Sequence, residues 1–148
     1  AIYGLSPLEK PNTALDLRPA MKVRSEVSYV KTIEAGESVS YGLSWTADQK
    51  TRIATVPMGY ADGLRRDAGY RGGQVLIGGK RHPIVGNVTM DQFLVDCGED
   101  HVTSGDEVVV LGPQGPEQIS AAEWAELFET ITYEIICGIE SRIPRRYS

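Results

Sequence analysis

From Met21 onward the chain alternates. Met21, Val23, Ser25, Val27, Tyr29, Lys31 and Ile33 form one set, mostly apolar, against Lys22, Arg24, Glu26, Ser28, Val30 and Thr32. A period of two places the sets on opposite faces of a strand with one face buried. "EAGE" then turns the chain, and "SVSYG" predicts a short second strand. "TRIATVPMGYADG" is a β-branched run ended by Pro57, Gly59 and an "ADG" turn. "GGQVLIGGKRHPIVG" predicts a hairpin turning near "GGK", with Pro83 marking an edge or bulge. "NVTMDQFLVDCG" and "DEVVVLG" add two strands, separated by a loop containing "SGD". Short strands punctuated by glycine at this spacing predict a mainly β barrel or sandwich, here a small barrel-like, Greek-key domain.

One short helix is expected near the C-terminus. In "QISAAEWAELFET", Ser120 and Glu123 have the spacing of a capping box, and Ile119 and Trp124 that of a hydrophobic staple. Trp124, Leu127, Phe128 and Ile131 fall on one helical face, as core residues would. Residues 1–20 suggest a short strand and a Pro-rich connector, "SPLEKPN" then "RPAM". The opening Ala1 and the apolar "AIYGL" read as the continuation of something longer.

Composition narrows the chemistry. The 148 residues suffice for one domain with its own core. Net charge is −5, without a block of like charge, so the basic footprint of a nucleic-acid binder is missing. No stretch has the ~20 apolar residues of a membrane helix, and the N-terminus has no signal-peptide pattern. The reading is a cytoplasmic chain. Cys97 and Cys137 lie far apart and read as two small buried hydrophobes. With only His82 and His101 besides, soft ligands for zinc are too few. No phosphate-binding glycine motif, metalloprotease motif or nucleophile elbow occurs.

What remains is a set of polar and aromatic residues at strand ends: Tyr41 before Gly42; Tyr60 and Asp62 in "MGYADG", with Arg65 and Arg66 beyond; Met90, Asp91 and Gln92 in "GNVTMDQF"; Arg142, Arg145 and Arg146 near the C-terminus. Tyr41, in "VSYGLSW", reads two ways. It is an apolar ring packed in a sheet, or a phenol held at a chain reversal with its hydroxyl outward. Taken singly, such residues are mostly core aromatics and turn formers.

Taken in order, "GESVSYG", "TRIATVPMGYADG", "HPIVGNVTMDQ", "SGDEVVVLG", "TITYEIICGI" and "RIPRRY" resemble the carboxy-terminal domain of alanine racemase, and "AIYGLSP" resembles the segment leaving that family's barrel domain. The resemblance implies a division at residue 20, with 1–20 ending the barrel domain and 21–148 forming the β-domain. It implies a homodimer in which each β-domain packs over the partner's (β/α)₈ barrel, where a lysine carries pyridoxal phosphate. None of Lys10, Lys22, Lys31, Lys50 and Lys80 resembles that lysine, so the cofactor is not expected on this chain and the chain alone is expected to be inactive. Tyr41 is then the catalytic tyrosine, which exchanges the Cα proton on one face of alanine while the barrel's lysine serves the other, interconverting L- and D-alanine for peptidoglycan precursors. An ordinary phenol, with a pKa near 10, needs neighbouring positive charge to act as a base, and in this family the helping groups lie on the barrel.

By the same resemblance, the Met90 backbone N–H holds the substrate carboxylate, Asp91 shapes that pocket, and Tyr60 lines the substrate entrance. Arg66, Asn87, Ile139 and Ser141 stand further along that entrance. Asn87 replaces an arginine that many relatives carry, which alters entrance charge. Ser141 replaces a tyrosine of some relatives, which widens the corridor or removes a phosphate contact. Both leave serine or another amino acid open as substrate. A β-barrel binding or dimerisation module without catalysis is the further alternative.

Overall fold

The alternating run at Met21 forms two strands, not one: β1 (Val23–Glu26) and β2 (Tyr29–Ile33). Between them the chain changes partners. The Val27 N–H donates to the Asp106 carbonyl at 2.9 Å and its carbonyl accepts from Gly105 at 2.8 Å, whereas the Ser28 N–H donates to the Thr55 carbonyl at 2.9 Å. The sequence alternates through the switch and so reads as a single strand, but the expected buried face is not kept: in β2 Tyr29 and Lys31 are exposed and Val30, of the other set, packs against the core. The computed structural model describes residues 4, 5 and 17–147; most of the expected N-terminal strand and connector lies outside them.

The sheet holds these two with β5 (Thr51–Val56), β6 (Gln74–Ile77), β7 (Lys80–Val85), β8 (Phe93–Asp96) and β9 (Glu107–Gln114). Their order is β1-β9-β6-β7-β8-β5-β2, every neighbour antiparallel, with β10 (Glu117–Ile119) folded back on β9. β6, β7 and β8 meander, and β9 returns beside β6, which is the Greek-key order. Since β1 and β2 adjoin at Val27 and Ser28, one run supplies both ends of the sheet. The result is barrel-like, without a ladder closing β1 on β2.

The β6–β7 turn is Gly78–Gly79, both at positive φ (59° and 76°), as the mirror-image hairpin turn demands. Pro83 does not mark an edge, because β7 is interior. It stands one residue before the β8 ladder begins at Ile84, where no partner asks for an N–H. β3 is only Ser38–Val39, and with β4 (Trp45–Thr46) it makes a separate hairpin, so the expected strand "SVSYG" ends before its tyrosine.

The main core is Phe93, Leu76, Ile84, Val75, Val88, Val95, Val108 and Val109, each almost fully buried. A second, smaller cluster of Ile33, Ala47, Ile53 and Val85 lies beneath the β3–β4 hairpin, with Val39 and Trp45 packed on it. α1 (Ala121–Leu127) begins at the expected capping box: Glu123 N donates to Ser120 Oγ at 3.1 Å and Ser120 N to Glu123 Oε1 at 3.0 Å. Trp124 stacks on Phe128 (5.2 Å) and donates its indole N–H to Val110 O at 2.8 Å. Ile131 leaves that face and is exposed, because Glu129 at φ 56° ends the helix and Ile131 caps a second one, α2 (Thr132–Cys137). That helix is unexpected, its "TITYEIIC" being rich in β-branched residues.

Cys97 is buried as expected, and desolvation pushes its thiol up to about 12. Cys137 is exposed, contrary to expectation, because α2 buries only Ile136. Among the described residues no group of His, Cys, Asp and Glu could hold a metal, and no helix is long and apolar enough to cross a membrane.

His82, on β7, is buried, and desolvation holds its imidazole below the ordinary value against the opposing pull of Asp100. The unfolded chain therefore binds the proton more readily, so stability falls as pH drops through the ordinary histidine range near 6.5. A lower urea midpoint at pH 5.5 than at pH 7.5 is expected, with a smaller difference in His82→Gln. An equal pH dependence in both proteins would assign it to other groups.

Candidate functional site

After β7 the chain does not turn straight into β8. Residues 86–91 run along one rim of the sheet and make contacts with four distant parts of the chain. At the first, Gly86 (φ 67°) lies so close to the β3–β4 turn that a Cβ there would stand 2.3 Å from Ser40 Cβ. Asn87 N donates to Ser40 Oγ at 2.9 Å, and Asn87 Nδ2 reaches the Tyr41 carbonyl (3.3 Å) and Ser44 Oγ (3.1 Å). At the second, Val88 N donates to the Arg66 carbonyl at 3.1 Å.

The third contact is the 3₁₀ turn Tyr60–Asp62. Tyr60 N donates to Thr89 O at 3.0 Å and Ala61 N to Met90 O at 3.1 Å. A Cβ on Gly59 would meet the Met90 carbonyl at 2.2 Å, so only glycine permits this approach. The fourth is Arg142, whose Nη2 donates to Asp91 Oδ1 at 2.8 Å.

Arg142 also ties the C-terminal tail to the same turn. Its Nε donates to Asp62 Oδ1 at 2.6 Å, while Asp62 Oδ2 accepts from Gly59 N at 2.8 Å. Asp62 is buried, which alone would raise its pKa. The hydrogen bonds from Arg142 and Gly59 and the guanidinium charge outweigh that, and the carboxyl is held below its ordinary value. Glu140 N donates to Asp62 O at 3.2 Å, and Arg145 caps the carbonyls of Ile139, Glu140 and Ile143.

The residues singled out in the sequence therefore gather on one rim. Tyr41 sits in the β3–β4 turn with 75% of its surface exposed, so it is no core ring, and it lies at a chain reversal. No described residue hydrogen-bonds its hydroxyl. Tyr60 and Met90 are also exposed, at 44% and 54%. The Met90 carbonyl is engaged, but among the described residues its N–H has no acceptor. Arg66 joins through its backbone and leaves its side chain in solvent. Ser141 is exposed on the tail, whereas Ile139 packs against the core and lines a cleft of about 210 Å³ beside α1 and α2. Neither that cleft nor the others described is lined by Tyr41, Met90 or Tyr60.

Sequence reasoning missed Ser40 and Ser44, which brace the turn, and the pairing of Asp62 with Arg142. The signal present for the latter was an aspartate three residues after Gly59, positioned to accept its N–H. Of the described lysines, Lys22, Lys50 and Lys80 are paired with Glu107, Glu34 and Asp100, and Lys31 is exposed on β2.

The chain is a Greek-key β-domain whose exposed Tyr41, Tyr60 and Met90 lie on turns tied to one another by residues 86–91. The chain belongs to the alanine racemase C-terminal domain family, whose model matches residues 20–147. It is 51% identical over 144 residues to the alanine racemase of Cutibacterium acnes, covering 97% of this chain and 38% of that protein. Among solved structures it is similar to alanine racemase from E. faecalis (TM-score 0.94, 40% identity, 100% of this chain and 39% of that one). It is also similar to the Bacillus anthracis alanine racemase solved with bound L-Ala-P (TM-score 0.92, 44% identity, 98% and 37%). The chain thus spans less than two fifths of the length of these relatives.

Asp62→Asn keeps an acceptor for Gly59 but loses the charge facing Arg142. The expected cost is about 1–2 kcal/mol at neutral pH, since Arg142 is half exposed and solvent screens the pair. Because the folded carboxyl lies below its ordinary value, this stabilisation is full above about pH 4 and is lost as pH falls further. Urea titrations of both proteins from pH 6 to 3 should show the gap closing; a constant gap would remove the ion pair from the account.

Proposed function

We propose that residues 21–148 are the β-domain of a pyridoxal-phosphate alanine racemase, with 1–20 leading out of its barrel domain. In this reading Tyr41 serves the active site of a partner subunit in a homodimer. The observation that carries it is the placement of Tyr41: an exposed phenol at the tip of a braced turn, on the rim that also bears the unpaired Met90 N–H. On this reading the cofactor is not held by the described lysines, which are paired at the surface or exposed on a strand. The barrel holds it, and the isolated chain is inactive. When bound there, pyridoxal phosphate supplies the electron sink that makes the Cα–H bond of alanine acidic enough to break.

What this chain contributes is a proton site and its alignment. The Tyr41 Oη takes the Cα proton from one face of the substrate, or returns a proton to that face after a barrel base has taken one from the other. A phenol does this near neutrality only when neighbouring positive charge or hydrogen bonds favour its anion. None of the described residues hydrogen-bonds it, so that help comes from the other domain. The Met90 N–H donates to the substrate carboxylate, fixing which Cα face meets Tyr41, and Asp91, held by Arg142, keeps that segment in register. Tyr60, Arg66, Asn87, Ile139 and Ser141 border the path by which alanine enters from the cytoplasm. The product D-alanine serves peptidoglycan precursors.

The test is a hybrid enzyme in which residues 20–147 replace the matching domain of the E. faecalis racemase. It should interconvert L- and D-alanine, and Tyr41→Phe should lower kcat by about 10²–10⁴-fold, the usual contribution of a positioned acid–base group. Undiminished turnover in the phenylalanine variant would leave Tyr41 as a surface ring. Faster racemisation of serine than alanine would reassign the substrate.

A further inference from the structure

Asn87 and Ser40 satisfy one another across 47 residues of sequence. The Ser40 hydroxyl accepts from the Asn87 N–H (2.9 Å) and donates to the Asn87 carbonyl (3.3 Å), so one side chain answers both backbone groups. In return the Asn87 amide donates to the carbonyl of Tyr41 and to Ser44 Oγ. The Tyr41 carbonyl can only accept, which fixes the amide with its nitrogen toward the turn.

The turn so held is unfavourable in itself. Ser40 (φ 73°) and Leu43 (φ 52°) both occupy the left-handed region without being glycine, and a single backbone bond, Leu43 N to Ser40 O at 3.0 Å, closes the loop between them. Such backbone persists only where the surroundings over-determine it. Gly86 permits the approach and Asn87 supplies the bonds. Below the turn, the small cluster under Val39 and Trp45 holds the strand ends, but Tyr41 stands outside it with its ring exposed.

We propose that Asn87 is a positioning residue for proton transfer: with Ser40 it forms a reciprocal clasp that fixes the Tyr41 backbone, and so the place of its hydroxyl, before substrate arrives. This rests on Tyr41 being the base, as argued above. It gives Asn87 an inward role distinct from setting the charge of the entrance. A base displaced by even an ångström loses much of its rate while the substrate's own binding groups stay in place.

The experiment uses the hybrid enzyme with Asn87→Ala, the near-isosteric Asn87→Asp, which cannot donate to the Tyr41 carbonyl, and Tyr41→Phe as reference. Both Asn87 variants should lower kcat by roughly ten- to a hundredfold with KM within about twofold. With α-deuterated L- and D-alanine, the primary isotope effect should rise for the enantiomer whose proton Tyr41 removes and fall for the other, since only one of the two proton transfers is slowed. Hydrogen exchange read by mass spectrometry should quicken in residues 38–46 and stay unchanged in β6 and β7. Wild-type kcat in the Asn87 variants, or a lower kcat with both isotope effects unchanged, would overturn the clasp while leaving Tyr41 as base. Full activity of Tyr41→Phe would overturn both.

Discussion

The rim depends on close approaches at two glycines, to the Ser40 side chain at Gly86 and to backbone carbonyls at Gly59. At Gly86 the chain passes so close to the β3–β4 turn, and at Gly59 so close to the Thr89 and Met90 carbonyls, that a methyl group at either place would overlap its neighbour. Everything else on the rim follows from these approaches. They bring the polar groups of residues 87–91 within reach of turns that no strand ladder connects, and those turns then satisfy them. Backbone donors and acceptors left unpaired away from water are costly, so the segment has little freedom to lie elsewhere.

The two halves of the rim are held by different forces. Under Tyr60, Asp91 and the tail, the fixing element is electrostatic: one guanidinium divided between Asp62, which is buried, and Asp91, which is not. Under Tyr41 it is a neutral network of amide and hydroxyl groups above a small apolar cluster. Salt and acid act on the first and leave the second alone.

How much of this was legible in the sequence depends on distance along the chain. Local patterns translate directly: the alternation of β1, the Gly78–Gly79 turn and the Ser120–Glu123 box are each written within a few residues. The partner switch at Val27 and Ser28 was not, because alternation is blind to which strand a residue pairs with. Nor was α2, where tertiary packing overrides the β-branched bias of "TITYEIIC". The ties that build the rim join distant residues, from Val88 with Arg66 to Asp62 with Arg142, 80 positions apart, and no periodicity encodes them. Tyr41, Met90 and Tyr60 stood out only as members of an ordered set of motifs resembling a known family; singly, each read as an ordinary turn or core residue.

That one stretch of chain supplies both ends of the sheet bears on how the domain is made. Residues 23–33 leave the ribosome before their partners at Thr51–Thr55 and Glu107–Leu111, the far ones by some eighty residues. The β2–β5 pair and the β6–β7–β8 meander are local and can assemble early, whereas docking β1 must wait until β9 is present, a long loop closure of the kind that slows folding. Until then an alternating, half-apolar segment waits unpaired, the condition under which nascent chains associate wrongly. The turn bearing Tyr41 lies between β2 and β5, which pair locally, so its final geometry waits on the later arrival of Gly86 and Asn87 rather than on β9.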